Sequence, residues 1–384
     1  MIAETLFWAA LGTMLYTYAG YPIIIMLWSL FSNNRVKTED IEPAVTLLIA
    51  AYNEEKHIEA KLLNSFELDY PRDKLEIVVA SDGSTDTTDE IVRRYENNPE
   101  GIRVVLHRVE GRLGKTAAQN SALNICQGEI VIFSDAASMY ERGVIRAFVR
   151  NYADETVGAV SGTCHYTNER GSSVGRATAI FWYFENFIKK QQTRIKTITG
   201  CCGCIYSVRK KLYTPLPPEI ISDLVEPLTI VRKGYRIVFE PEALALEETA
   251  GKANEEFKMR IRVIVRGMNG MLYMRNLFNP LKHTFVSFQL ISHKVLRWLA
   301  PVLCIMVFLS NALLVMNSTF YLVAFGLQIV FYLMAAQGRR LENKGVHSKL
   351  FYLPLYFCVV NLASLVSMLK VLKRTNIVTW QPQR

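Results

Sequence analysis

"EIVVASDGSTDTTDEIV", residues 76–92, decides how the chain folds. An apolar run suited to a buried strand stops at Ser81, small and acidic residues follow, and apolar residues return at helical spacing through Ile91, Val92 and Tyr95. Acids at a strand end are often helix caps, and Ser84, Asp86 and Thr87 each suit that role. The same plan recurs on either side, in "AVTLLIAAYNEEKHIEAKLLNSF" (44–66), "GIRVVLHRVEGRLGKTAAQNSALNIC" (101–126) and "GEIVIFSDAASMYERGVIRAFVRNY" (128–152). Alternating strand and helix predicts an α/β domain with a mostly parallel sheet covered on both faces. Ligands of such sheets sit outside the carboxyl ends of the strands.

The polar breaks all fall on that edge: Asn53 and Glu54, Asp82 and Asp86, Arg112 and Lys115, and Asp135. Four separate caps would account for four breaks, but not for a lone Asp135 closing "VIFSD" or for the basic loop "EGRLGKT" among acidic ones. Carboxylates, one or two cations and backbone amides at helix starts suit a negatively charged ligand with a divalent cation. "GRLGKT" is not the phosphate loop of a nucleotide hydrolase, because the glycine required five positions before Gly114 is Val109. Lys115 remains available to a phosphate as a point charge.

Composition adds a second feature. The chain has 384 residues, 50% of them hydrophobic, and a net charge of +9. Its apolar residues are segregated into 6–31, 299–316, 319–336 and 350–370, each long enough to cross a hydrocarbon layer of ~30 Å. Basic residues in "NNRVK" and "QGRRLENKGVHSK" predict a cytoplasmic central region; the expectation is an integral protein of a bacterial or archaeal inner or plasma membrane. Four spans would leave the basic tail "KVLKRTNIVTWQPQR" on the opposite side, so either the last span re-enters or the count is off by one. No nucleic-acid partner is expected. The seven cysteines include a C-x-x-C at Cys201–Cys204 with no second pair or nearby His, which favours reduced thiols over a metal or redox centre.

"AYNEE", "SDGSTD", "GRLGKTAAQN", "FSDAAS", "GCCGCIYSVRKKLY" and "SDLVEPLTIVRKGYRIVFEPEALALEE" stand in an order and spacing that resembles a membrane-bound family 2 glycosyltransferase, the group that includes cellulose, hyaluronan and poly-N-acetylglucosamine synthases. The resemblance covers residues 44–270. It implies a GT-A (Rossmann-like) domain over 42–275, after an N-terminal transmembrane helix in 1–35 and before an interfacial helix and transmembrane helices in 276–384. It also implies a hexosyl- or N-acetylhexosaminyltransferase with a nucleotide-sugar donor, UDP-linked, and inversion at the anomeric carbon.

Carried over residue by residue, the resemblance implies that Asn53, Glu54 and Asp82 hold the nucleoside and that Lys115 lies near the diphosphate. Asp135 matches the first acid of a DxD pair that grips Mg²⁺ or Mn²⁺, but Ala137 replaces the second acid. Asp223 matches the acid of a TED motif and is the expected general base; otherwise it caps the helix that follows. Gly200, Cys201 and Gly203 fall where backbone approaches the acceptor. Ile264 replaces the tryptophan that stacks on the acceptor in processive members, and "RIRVIVRG" and "FVSFQLISHKVLRW" suit the membrane surface. The expectation is transfer to a lipid-linked or membrane-presented glycan acceptor among membrane lipids. The alternatives are a processive polysaccharide synthase and exporter, and a silent nucleotide-binding scaffold.

Overall fold

The computed structural model describes residues 1–167, 173–248, 253–346, 348, 350–375 and 377–378. Eight strands form one sheet: β1 (Val45–Ala51), β2 (Leu75–Ser81), β3 (Arg103–Arg108), β4 (Ile130–Asp135), β5 (Met139–Tyr140), β6 (Val157–Thr167), β7 (Ile205–Arg209) and β8 (Arg236–Glu248). Their spatial order is β3-β2-β1-β4-β7-β6-β8-β5. The first four run parallel, as the strand-helix alternation predicts. β7 is antiparallel to β4 and β6, β6 and β8 are parallel, and β5 is antiparallel to β8.

β1 and β2 are buried at every position, which is why they read as unbroken apolar runs rather than alternating ones. Alternate side chains serve opposite faces. Leu47, Ile49, Ile77 and Val79 pack on Ile58 and Leu62 of α2 (Ile58–Phe66), Ile91 and Val92 of α3 (Thr88–Arg94), and Phe148 of α5 (Val144–Val149). Leu48, Val78, Val131 and Phe133 pack on Ala118 and Ala122 of α4 (Lys115–Ala122) and Ile230 of α7 (Ser222–Arg232). A truncation in either layer, such as Leu62→Ala, costs about 2–5 kcal/mol.

The chain builds β1, β2 and β3 outward, then returns to place β4 on the other side of β1. This reversal opens a crevice between the carboxyl ends of β1 and β4, the position where open α/β sheets bind ligands. Asn53 follows one strand and Asp135 ends the other.

Among the described residues four helices are long and apolar enough to cross a membrane: α1 (Ile2–Leu30), α9 (Thr284–Leu314), α10 (Thr319–Asn343) and α11 (Tyr352–Leu372). α6 (Ser173–Ile195) and α8 (Ala253–Tyr273) lie between them and the sheet domain. "FVSFQLISHKVLRW" is not a separate element. Neither Gly nor Pro occurs from 284 to 300, so it runs without a break into the span that follows. α11 packs along α8 and ends where Arg374 takes a left-handed conformation, φ 53°, with Thr375 N–H donating to Lys370 O at 3.0 Å. The tail then meets the sheet domain. A side-chain carbon on Gly114 would lie 2.7 Å from the Val378 carbonyl oxygen. The basic tail therefore lies against the α/β domain through Val378; residues 379–384 fall outside the described residues.

Candidate active site

The first side of the crevice is knitted from the loops after β1 and β2. Asn53 adopts φ 52°, a conformation its short polar side chain tolerates, and its Oδ1 accepts the Thr85 N–H at 2.8 Å. The Glu54 N–H donates to Thr88 Oγ1 at 2.8 Å, and Glu54 Oε2 pairs with His57 Nδ1 at 2.9 Å. Asp86 accepts the Thr88 N–H at 3.0 Å, at the first residue of α3, and the Glu55 N–H at 3.2 Å. Capping thus describes Asp86.

Asp82 has a different task. It is fully buried, and its carboxylate accepts the N–H groups of Leu113 and Gly114 at 2.8 and 2.9 Å. Burial raises its pKa against the opposing pull of these amides and of Arg112. Beside it Gly83, at φ 69°, touches the loop directly; a side-chain carbon there would lie 2.2 Å from Gly111 O. The acid of "SDGSTD" thus holds the basic loop "EGRLG" in place. Arg112 stacks over the Tyr52 ring at 4.0 Å.

Lys115, at the start of α4, forms an ion pair with Asp135 and donates to Gly203 O at 3.1 Å. Burial alone would lower the Lys115 pKa, but Asp135 outweighs it and keeps the ammonium protonated. The Gly203 loop leads to Asp223, whose carbonyl accepts the Cys201 N–H at 2.9 Å. Asp223 Oδ1 is buried with no hydrogen-bond partner, and no side chain caps α7. Asp223 is the second residue of α7 and makes no capping hydrogen bond among the described residues. Burial raises its pKa, with Lys115 opposing.

Four residues escaped the sequence reading. Lys61 is fully buried beneath the Asp135 loop, donating to Ser138 O, with Nζ 3.6 Å from the Tyr140 ring centroid; burial lowers its pKa to about 7. Its position three residues after Ile58, on the apolar stripe of α2, was the available signal. Glu226 lies one turn after Asp223, fully buried, with neither carboxylate oxygen hydrogen-bonded; burial pushes its pKa up to about 8. Arg266 of α8 donates to Thr116 Oγ1 at 2.9 Å and Ile220 O at 2.7 Å, tying α8 to the starts of α4 and α7. Trp298 is the fourth.

A cavity of about 810 Å³ extends from Gly200, Cys201 and Asp223 to α1, α9, α10 and α11. Its walls are mainly apolar, including Leu224, Ile264, Phe331 and Val360, with Arg260, Lys294 and Arg297 among the charged residues. Arg297 pairs with Glu185, and His293 Nε2 lies 3.2 Å from the same carboxylate. Ile264 lines the wall at the position where the resemblance expects a tryptophan. An indole reaches the same cavity from another helix: a side-chain carbon on Gly267 would lie 3.2 Å from the Trp298 ring.

The donor set around Asp135 fits a weakly held cation. Its carboxylate is about a third exposed and ends β4, while Ala137 offers no second ligand. Mg²⁺ keeps several waters and is held by one or two carboxylates plus phosphates, so a single acid with a diphosphate suffices.

Residues 46–215 match the family model described as Glycosyl transferase family 2. The poly-beta-1,6-N-acetyl-D-glucosamine synthase of Staphylococcus aureus is 28% identical over 264 residues, which are 66% of this chain and 61% of that protein. A probable glycosyltransferase, YdaM of Bacillus subtilis, is 29% identical over 213 residues, 54% of this chain and 51% of that one. The chain thus spans less than two thirds of the length of these relatives. Among solved structures, the mannosyltransferase PcManGT from Pyrobaculum calidifontis, in complex with GDP-Man and Mn²⁺, superposes with a TM-score of 0.73 at 23% identity, covering 98% of this chain and 99% of that one. Residues 46–215 thus carry a match to the family 2 glycosyltransferases, on a GT-A-like α/β fold. The four apolar helices among the described residues are long enough to place such a domain at a membrane.

Proposed function

We propose that the protein moves a sugar from a nucleotide-sugar, UDP-linked, to a hydroxyl of a lipid-linked glycan acceptor, with inversion at the anomeric carbon. The observation that carries this reading is the continuity between Asp223, with its unpartnered Oδ1, and an 810 Å³ apolar cavity among the membrane helices. An acceptor whose lipid lies in that cavity presents its hydroxyl to Asp223. The α/β domain faces the cytoplasm, where nucleotide-sugars are made.

In the proposed reaction Asp223 accepts the proton of the acceptor hydroxyl as the oxygen bonds to C1 of the sugar. The bond between C1 and the diphosphate oxygen breaks on the opposite face, and the nucleoside diphosphate leaves with the electron pair. A carboxylate with a raised pKa and one free oxygen suits general-base work. Lys115 lends its positive charge to the departing diphosphate after giving up its pairing with Asp135. Asp135 would hold a divalent cation, Mg²⁺ or Mn²⁺, which when bound supplies further positive charge to the diphosphate. The nucleoside lies along the turn of Asn53 and Glu54. Asp82 serves as a positioning residue, since its carboxylate is committed to Leu113 and Gly114. Gly200, Cys201 and Gly203 line the approach of the acceptor.

A processive synthase is the second reading, and Trp298 favours it by offering a stacking surface that Ile264 does not. The test is to incubate the purified protein with a panel of UDP- and GDP-sugars and to measure released nucleoside diphosphate and product length. Release stimulated by a lipid-linked acceptor, and not by the same glycan without its lipid, is the expected result. Long polymer would favour the second reading, and no release with any donor would sink both.

A further inference from the structure

Three cysteines meet directly beneath the Gly203 loop. Cys164 comes from β6, and Cys202 and Cys204 flank Gly203 at the entrance to β7. Their sulfur atoms all lie within 4.8 Å of one another, with Cys202 and Cys204 at 3.6 Å, and all three are buried. Four thiolates around zinc at ~2.3 Å would stand about 3.8 Å apart, so this spacing is that of a ligand set. The scaffold under them is rigid. β6 and β7 pair with Ser161 opposite Tyr206, and the Cys202 N–H donates to Ser161 Oγ at 3.1 Å.

Two further observations point to a bound cation. Glu247 Oε2 lies 3.7 Å from Cys164 Sγ, and the β6–β8 register pairs Cys164 with Ala245, which puts Glu247 on the same side of the sheet. The second is Lys189, only 6% exposed, whose Nζ has no hydrogen-bond partner, faces the Trp182 and Phe239 rings at 5.5 and 5.7 Å, and bears by its charge on Cys202. A buried ammonium is costly unless negative charge stands near it. Neutral thiols provide none. Three thiolates and a carboxylate around a divalent cation leave a net charge of −2, which Lys189 partly offsets.

We propose that Cys164, Cys202 and Cys204, with Glu247, bind a thiophilic divalent cation of the zinc class that pins the Gly203 loop between Lys115 and Asp223. Each thiol gives its proton to solvent as its sulfur binds the metal. The site is separate from any cation at Asp135, and its existence does not depend on which acceptor the enzyme uses. Cys201, the partner of Cys204 in the C-x-x-C pattern, takes no part.

The experiment uses the full chain purified from membranes. Elemental analysis should find about one zinc per chain, and exchange with Co²⁺ alone should give sulfur-to-cobalt charge-transfer bands. Cys164→Ser, Cys202→Ser and Cys204→Ser should each weaken Co²⁺ binding by roughly tenfold or more, whereas Cys201→Ser should keep the bands. If a variant fails to fold, the wild-type cobalt spectrum decides alone. Wild-type protein without zinc and without cobalt bands, an intact mass that reveals a disulfide among the three, or full metal binding in folded Cys164→Ser would each overturn the proposal.

Discussion

Gly203 stands so close to Asp223 that a side-chain carbon on it would lie 2.6 Å from Asp223 Oδ2. A contact that short forces something to move, and both neighbours are constrained, Gly203 through its carbonyl to Lys115 and Asp223 through the backbone of Cys201. Gly203→Ala should therefore displace the carboxylate and lower transfer at least roughly tenfold, since misplacement by ~1 Å costs up to 10²-fold. Nucleoside diphosphate affinity should barely change. Transfer at the wild-type rate would show that the carboxylate has room to swing aside without consequence.

Asp82 provides a test of how the donor side is built. Its buried carboxylate accepts two amides of the loop that leads into Lys115. Asp82→Ala strands both donors and should cost about 1.5–3 kcal/mol per charge-assisted bond lost, less what water recovers. Both the melting temperature and the calorimetric affinity for nucleoside diphosphate should drop, and Asp82→Asn, which keeps one acceptor, should lose less of each. Weaker nucleotide binding at unchanged stability would return Asp82 to direct contact with the nucleoside.

Buried Glu226 makes stability depend on pH. Its folded pKa of about 8 lies above the ~4.3 of an unfolded glutamate. Between those values the native state holds a proton that the unfolded state has lost. The associated stability is complete below ~4.3 and is lost as pH rises toward 8. Glu226→Gln should flatten that decline, raising the melting temperature at pH 8 and changing it little near pH 4. Lys61 acts in the opposite sense at higher pH. Its folded pKa of about 7 lies below the unfolded ~10.4, so stability is regained as pH rises through that window. Melting curves of wild type and Glu226→Gln across pH check the first slope, and an unchanged slope in Glu226→Gln would contradict the assignment.

The cation at Asp135 should bind weakly alone and far more tightly with nucleotide, because a single carboxylate leaves most of the negative charge to the diphosphate. EDTA should abolish transfer and Mg²⁺ or Mn²⁺ restore it. Ala137→Asp should tighten metal binding in the absence of nucleotide. Full transfer in EDTA would mean that Lys115 and helix-start amides neutralise the leaving group without a metal.

How much of this was legible in the sequence follows from what decided each element. The parallel half of the sheet was readable because β1 and β2 are apolar at both faces and each is followed by a helix with a clear stripe. The positions of Lys115, Asp135 and Asp223 near one another were readable because such residues closed apolar runs or sat at helix starts; their roles belong to the proposed function. Asp82 was found, but its partners were not, since Leu113 and Gly114 offer backbone amides that no side-chain pattern announces. The cysteine cluster was hidden because Cys164 lies far along the chain from Cys202 and joins it only through strand pairing. The return of the tail to Gly114 depends on a left-handed turn at Arg374, a residue type that seldom adopts one. Trp298 reached the cavity from a segment whose sequence reads as membrane-surface, because that segment runs on into the following span.

The central claim is that Asp223 is the base, and Asp223→Asn tests it most directly. The amide keeps the size of the side chain but cannot accept the proton of the hydroxyl. Sugar transfer, measured as released nucleoside diphosphate with acceptor present, should fall by roughly 10²-fold or more while nucleoside diphosphate binding stays at the wild-type affinity. Transfer near the wild-type rate in Asp223→Asn would contradict the account.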